Sequence, residues 1–325
     1  MSSKPALVLN KVTRRFGKTR ALNSLSLSVP ERSVTAFVGV NGAGKTTTFS
    51  LVGGFIRPHG GSIEVFGLPL KKYRALGGII GILPQDMQFF EERTIGRQLL
   101  LFAQLAGLDG KNARIETHRV LDLVKLFDRE NEVAGELSHG MRVRLGVAQA
   151  LIGNPPLVLL DEPTAGLDPR MIVEFRESIE AIRGKTTVVI SSHNLSELQE
   201  LCDHVCMIDH GALLMEGPMS QMLSGASRVV YVVDAIKRDL RDLEEQLPAA
   251  DVVGEDAHTI SVEFDLKRYK IADVNRVVLA WILNGGMDVI EVKPQRSLEQ
   301  AFLSATGTDL GKKVAAAQLA RPQSK

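Results

Sequence analysis

The run Gly39-Val40-Asn41-Gly42-Ala43-Gly44-Lys45-Thr46-Thr47 constrains this chain more than any other feature. It stands between an apolar segment, Val34 to Val38, and a helix-compatible one, Thr48 to Val52, which Gly53-Gly54 ends. Strand, glycine-rich turn and helix therefore follow in the order that a phosphate-binding loop needs. Gly39 to Thr46 fits G-x-x-x-x-G-K-[ST], the pattern in which consecutive backbone N–H groups converge on phosphate oxygens and the helix N-terminus adds its positive end. On this reading Asn41, Gly42, Ala43, Gly44, Lys45, Thr46 and Thr47 surround the phosphates of a nucleotide. Lys45 reaches the β- and γ-phosphates, and the Thr46 hydroxyl serves Mg²⁺.

Two further apolar runs complete a sheet. Leu157 to Leu160 follows the breaker Asn154-Pro155-Pro156, and Thr187 to Ile190 ends at Ser191-Ser192-His193. Short continuous apolar runs suit strands buried on both faces of a parallel sheet. Leu25, Leu27 and Val29 alternate instead with Ser24, Ser26 and Ser28, which predicts a half-buried strand. Asp161 then falls at the carboxyl end of a buried strand, where a Walker-B acid holds Mg²⁺ through water. Glu162, the next carboxylate, is placed to polarise an attacking water and is the general-base candidate. Between the strands, over about 86–150, the pattern turns helical, with Leu99, Leu100, Phe102 and Ala103 followed by Val120, Leu121, Leu123 and Val124.

After Gly217-Pro218 a helical stretch to Gly225 leads out of this region. The remainder reads as strand 228–234, helix 236–246, strand 251–254, strand 258–264, helix 274–283 and strand 287–292, the β-α-β-β-α-β order of a ferredoxin-like fold. Ser297 is expected to cap a last helix and 307–325 to be a flexible tail. The expected division is thus 1–225, 228–306 and the tail.

Leu137-Ser138-His139-Gly140-Met141 resembles the LSGGQ signature of ABC ATPases, and the other pieces of that family stand in order around it. These are Gln85 in GILPQD, the D-loop Ala165-Gly166-Leu167-Asp168, and His193 after the last strand. The amino-terminal region resembles one complete ABC nucleotide-binding domain. The resemblance implies an α/β fold, a P-loop NTPase ABC ATPase core with an inserted helical subdomain, to which a smaller α+β, ferredoxin-like domain is appended. It also implies ATP and Mg²⁺ as cofactors, with Glu162, Gln85 and His193 catalytic and Thr46, Gln85 and Asp161 serving the metal. Phe16 stands where the family stacks an aromatic on adenine, the alternative being an ordinary core phenylalanine. Ser138, His139, Gly140 and Met141 would meet the γ-phosphate of ATP held by a second copy, with Asp168 in the D-loop, so the resemblance implies a head-to-tail dimer. His139 and Met141 depart from the family pattern, while the serine hydroxyl, Gly140 and the helix N-terminus remain.

Composition narrows the functional class. Across 325 residues, 39 Lys+Arg against 38 Asp+Glu leave a formal net charge of +1, which argues against a nucleic-acid binder held by phosphate charge. Cys202 and Cys206 are the only cysteines, too few for a disulfide framework or a zinc site. The longest apolar stretch, Ala75 to Pro84, is far shorter than the roughly 20 residues that span a bilayer, and MSSKPALVLN has no apolar signal region. The expected place is therefore cytoplasmic, peripheral on the inner face of the cell membrane, with a separate permease providing the membrane-spanning part. Soluble ABC proteins of translation or DNA repair carry paired domains or long coiled coils, and this chain has neither. GVNGAGKTTT, LGVAQAL and the closing RSLEQAFL resemble the ATPases of two-component exporters. Met87, Phe89 and Phe90 are candidates for docking the permease, or else belong to the core of the helical subdomain.

Overall fold

Long alternating strands and short, wholly apolar strands sort into separate sheets in the amino-terminal part of the chain. The computed structural model describes residues 5–71, 77–193, 198–222, 226–265 and 268–295, and divides into two units between Gly217 and Pro218 rather than at 225. The first unit opens with β1 (Pro5–Phe16), β2 (Thr19–Pro30), β3 (Val34–Val38), α1 (Lys45–Val52), β4 (Gly60–Val65), β5 (Leu68–Pro69) and β6 (Ile80–Leu83). Three helices follow, α2 (Ile95–Leu105), α3 (Gly110–Leu123) and α4 (His139–Ala150). Then come β7 (Leu157–Asp161), α5 (Pro169–Glu180), β8 (Thr187–Ser192), β9 (His204–Asp209) and β10 (Ala212–Pro218).

β1 pairs antiparallel with β2 and β4, in a sheet ordered β2-β1-β4-β5. The alternation expected at Leu25, Leu27 and Val29 sends those side chains inward with Leu7, Leu9 and Val12 of β1. β3, β7 and β8 are buried along their whole length. They form the centre of the second sheet, ordered β10-β9-β3-β8-β7-β6. One core joins the two sheets, with Phe37, Leu159 and Val189 of the parallel sheet packed among Leu9, Leu25, Leu27 and Phe49. Each such buried side chain contributes about 1.5–3 kcal/mol.

The register of the parallel sheet gathers the motifs. Leu83 pairs with Leu160, Asp161 with Ser191, and Val38 with Ser192. The glycine loop after β3, Gln85 after β6, Glu162 after β7 and His193 after β8 therefore leave the sheet at one edge, the carboxyl ends where α/β proteins place ligands.

Between β6 and β7 the three helices start at side-chain caps: Thr94 Oγ1 accepts from Arg97 N–H, Asp109 Oδ1 from Lys111 and Asn112, and Ser138 Oγ from Met141. α4 lies against β6, and glycine permits the approach. A Cβ on Gly81 would stand 1.8 Å from the Ala150 carbonyl oxygen, and one on Gly146 2.4 Å from Leu83 Cδ1.

The second unit begins with a short helix, α6 (Met219–Met222), and continues as β11 (Ala226–Val233), α7 (Arg241–Gln246), β12 (Ala250–Gly254), β13 (Thr259–Asp265), α8 (Ile271–Asn284) and β14 (Val289–Gln295). Its sheet is ordered β12-β13-β11-β14, and every neighbouring pair is antiparallel. Val229, Tyr231, Ile260, Val262 and Phe264 pack there against Val274, Val278, Trp281 and Ile282 of α8. The helix expected over 236–246 starts only at Arg241; before it, Ile236 N–H donates to the Ala257 carbonyl (2.9 Å) and Lys237 N–H to Met287 Sδ (3.3 Å). The expected capping of a helix by Ser297, the RSLEQAFL segment and the tail lie outside the described residues. Among the described residues no helix is long and apolar enough to cross a membrane.

Candidate functional site

The first helix of the chain differs from the next ones at its start. α1 is preceded by Gly44 at φ +110°, which gives its N-terminal N–H groups no side-chain acceptor. The first N–H groups of a helix have no partner within it, so those of α1 face an open cleft of about 370 Å³ as anion donors. Asn41, Gly42, Gly44, Lys45, Thr46 and Thr47 line one wall of the cleft; Gln85, Glu162, Ala165 and His193 line the remainder with Ala21.

The centre of the cleft is a chain of charge. Lys45 Nζ donates to the Gly39 carbonyl (2.7 Å) and lies 3.1 Å from Glu162 Oε1, and the two side chains are only 6% and 7% exposed. Glu162 Oε2 lies 2.8 Å from His193 Nδ1. A carboxylate accepts, so this nitrogen carries the proton. Glu162 itself has φ +51°, a left-handed conformation that costs a non-glycine residue on the order of 1–3 kcal/mol and collects at functional sites.

Asp161 sits behind Glu162, buried at the end of β7. Burial pushes its carboxyl above the usual aspartate range, and hydrogen bonds from the Ser191 and Thr46 hydroxyls oppose that shift. The Ser191 bond to Asp161 Oδ1 measures 2.5 Å. One carboxylate, the Thr46 hydroxyl and the Gln85 amide make a hard-oxygen donor set. That set fits Mg²⁺, which takes few protein ligands and completes its shell with water and substrate phosphate.

The structure brings Lys45, Thr46, Gln85, Glu162 and His193 to one cleft and leaves other expected residues outside it. Ala43 is buried beneath the loop. Phe16, 47% exposed, ends β1 with the Arg14 guanidinium 4.7 Å from its ring centre, and is not among the lining residues. Ser138 to Met141 do not line it either. Ser138 caps α4, and His139 Nε2 donates to the Ala165 carbonyl oxygen (3.1 Å), which ties the signature to the D-loop of its own chain. Gly140 packs closely on the Met171 side chain of α5, whose Sδ would lie 2.6 Å from a Cβ there and would have to shift. Asp168 caps α5 by accepting from Met171 N–H (2.8 Å). Ser191 was not anticipated as a site residue, and its signal was a polar residue directly following an apolar buried run.

The segment after Gln85 divides between the two readings. Met87 packs on α4 at Gly146, and Phe89 lies under the Arg142 guanidinium, which pairs twice with Glu91. Phe90 is 50% exposed, 5.1 Å from the Arg93 guanidinium.

Parallel sheet, uncapped loop helix and carboxylate-bearing strand end define a P-loop ATPase. The family model described as ABC transporter matches residues 22–165. The bacitracin transport ATP-binding protein BcrA of Bacillus licheniformis is 34% identical over 308 residues, 91% of this chain and 95% of that protein. The Nod factor export ATP-binding protein I of Rhizobium sp. (strain N33) is 30% identical over 316 residues, 95% of this chain and all of that one. Among solved structures, cbiO1 from Clostridium perfringens, part of the ABC transporter complex cbiONQ, superposes with a TM-score of 0.62 at 25% identity, covering 76% of this chain and 97% of that one. The chain belongs to the ABC transporter family, as an ATP-binding and ATP-hydrolysing subunit.

Proposed function

We propose that this chain drives export: two copies close head to tail around two ATP molecules, at the inner face of the cell membrane, and act on a separate permease. The observation that carries the proposal is the division of the site. The cleft holds Lys45, Glu162, His193 and Gln85, while exposed Ser138 and His139 stand outside it at the start of α4, available to the cleft of a second copy. Export is supported by relatives whose names specify bacitracin transport and Nod factor export.

In this cycle the loop N–H groups and Lys45 bind the phosphates, and Phe16 offers its exposed ring to adenine. Thr46, Asp161 and Gln85 would hold Mg²⁺, which would supply charge neutralisation on the phosphate oxygens. Glu162 polarises the attacking water and His193 holds Glu162 in place through the 2.8 Å contact. Ser138 and Gly140 present the N-terminus of α4 to the γ-phosphate across the interface, and Asp168 fixes the turn that follows the D-loop. We also read 86–150 as an inserted helical subdomain and the carboxyl-terminal unit as a ferredoxin-like accessory domain. The helices between β6 and β7 support the first reading, and the antiparallel order β12-β13-β11-β14 supports the second. The accessory domain serves dimerisation or regulation.

The test is ATP-driven transport in inside-out vesicles that contain the permease and this chain. The proposal expects uptake into the vesicle lumen that disappears with Lys45→Met. Transport out of the lumen would reverse the assigned direction.

A further inference from the structure

We propose that Ser191 is a positioning residue for hydrolysis, whose single hydroxyl sets the metal-binding carboxylate and the general base together. The inference rests on the assignment of Asp161 and Glu162 to those roles. A serine hydroxyl has one proton and two lone pairs. In Ser191 the proton goes to Asp161 Oδ1 at 2.5 Å, and a lone pair accepts the Glu162 backbone N–H at 2.8 Å. The side chain is completely buried, so water cannot replace either bond.

The arrangement follows from the register. Ser191 is the partner of Asp161 across the β7–β8 ladder, and the chain leaves β7 immediately afterwards through Glu162 at φ +51°. The left-handed turn aims the Glu162 carboxylate at Lys45 and His193. Its own N–H is taken by the Ser191 hydroxyl. Ser191 touches neither the cleft nor, on this assignment, any reacting atom. It acts by fixing the rotamer of Asp161 and the backbone of Glu162, which are consecutive in the chain and must keep a constant offset between metal and water.

Alanine removes the hydroxyl and changes the packed volume little. Loss of an outer-shell partner of a metal-binding or catalytic group typically costs about 10–100-fold. The experiment measures kcat and, separately, equilibrium affinity for a fluorescent ATP analogue in Ser191→Ala, Ser191→Thr, Glu162→Gln and the Ser191→Ala/Glu162→Gln pair, all in the full chain. The expected result is a kcat for Ser191→Ala lower by about 10–100-fold with affinity within about threefold of the parent, because the P-loop is untouched. Ser191→Thr, which keeps the hydroxyl, should turn over at least about fivefold faster than Ser191→Ala. In the Glu162→Gln background Ser191→Ala should slow turnover by less than it does in the parent, since the part of its effect that runs through Glu162 is already lost while the part through Asp161 remains.

A Ser191→Ala protein with parental kcat, with affinity reduced as much as kcat, or with losses that multiply with those of Glu162→Gln would overturn the proposal. So would a Thr variant that unfolds at the parental temperature yet is as slow as the Ala variant. Parental turnover in Glu162→Gln would instead remove the base assignment on which the proposal rests. Slow Glu162→Gln beside parental Ser191→Ala would remove the proposal alone.

Discussion

Replacing Lys45 with methionine tests whether the charge chain in the cleft stabilises the fold as well as binding phosphate. Lys45 donates to the Gly39 and Val40 carbonyls at 2.7 and 3.4 Å and pairs with Glu162 at 3.1 Å. Both side chains of the pair are more than nine-tenths buried, so solvent screening discounts their interaction little. Methionine retains the length of the chain and removes the charge, which leaves Glu162 buried with the His193 ring nitrogen, 2.8 Å away, as a remaining side-chain partner. Removing one partner of a buried pair costs about 3–5 kcal/mol. The surviving His193 contact brings the expected loss to about 2–4 kcal/mol, or roughly 30- to 1000-fold in the folding equilibrium. Urea unfolding followed by far-UV circular dichroism without added nucleotide reads this loss in the first unit. Trp281, the single tryptophan, reports the carboxyl-terminal unit by fluorescence and serves as the internal control. Adding Glu162→Gln should restore at least half of the loss, because the stranded charge is then gone. An unchanged midpoint for Lys45→Met, or losses that simply add in the double variant, would refute the reasoning.

Gly81→Ala should be destabilising by about 3 kcal/mol or more, at the upper end of overpacking costs, because the obstacle 1.8 Å away is the Ala150 backbone oxygen. A thermal melt within a degree of the parent would contradict it. Phe90→Ala should reduce co-purification with the permease and leave ATP affinity unchanged, and full co-purification would place the docking surface elsewhere. Asp234 is held down to about 2, first by the Lys237 ammonium at 2.7 Å and then by Asp288 N–H at 2.9 Å. A carboxyl whose folded value lies below its unfolded one stabilises fully above about pH 4, and that contribution is lost as pH falls through 2. The Trp281 unfolding midpoint should therefore drop more between pH 4 and pH 2 in the parent than in Asp234→Asn, and equal drops would refute the linkage.

What could be read from the chain before its structure was whatever lies close together in sequence. The glycine loop, the strand before it and the helix after it are one local unit, so Lys45 and Thr46 announced themselves. Asp161 and Glu162 were legible because the apolar run before them required a strand end. Ser191 was not, since its partners Asp161 and Glu162 are separated from it by α5 and become neighbours only through the β7–β8 register. The tie of Ile236 N–H to the Ala257 carbonyl was likewise hidden, because that carbonyl lies on a distant turn. His139 read as a departure within the signature, but its bond to the Ala165 carbonyl depends on how α4 meets the D-loop. The split of Met87, Phe89 and Phe90 into packed and exposed residues depends on α4 as well.

The central claim is that Glu162 activates water inside a site completed by a second copy, and one variant tests both parts. Glu162→Gln keeps the shape of the cleft and removes the base. With Mg·ATP its turnover should fall by roughly 10²- to 10⁴-fold, the usual scale for a positioned general base, while ATP still binds. Sedimentation velocity of that variant with Mg·ATP should show the dimer accumulating, because closure proceeds and reopening waits on hydrolysis. A Glu162→Gln protein that hydrolyses ATP at the parental rate, or remains monomeric with ATP bound, would contradict the account.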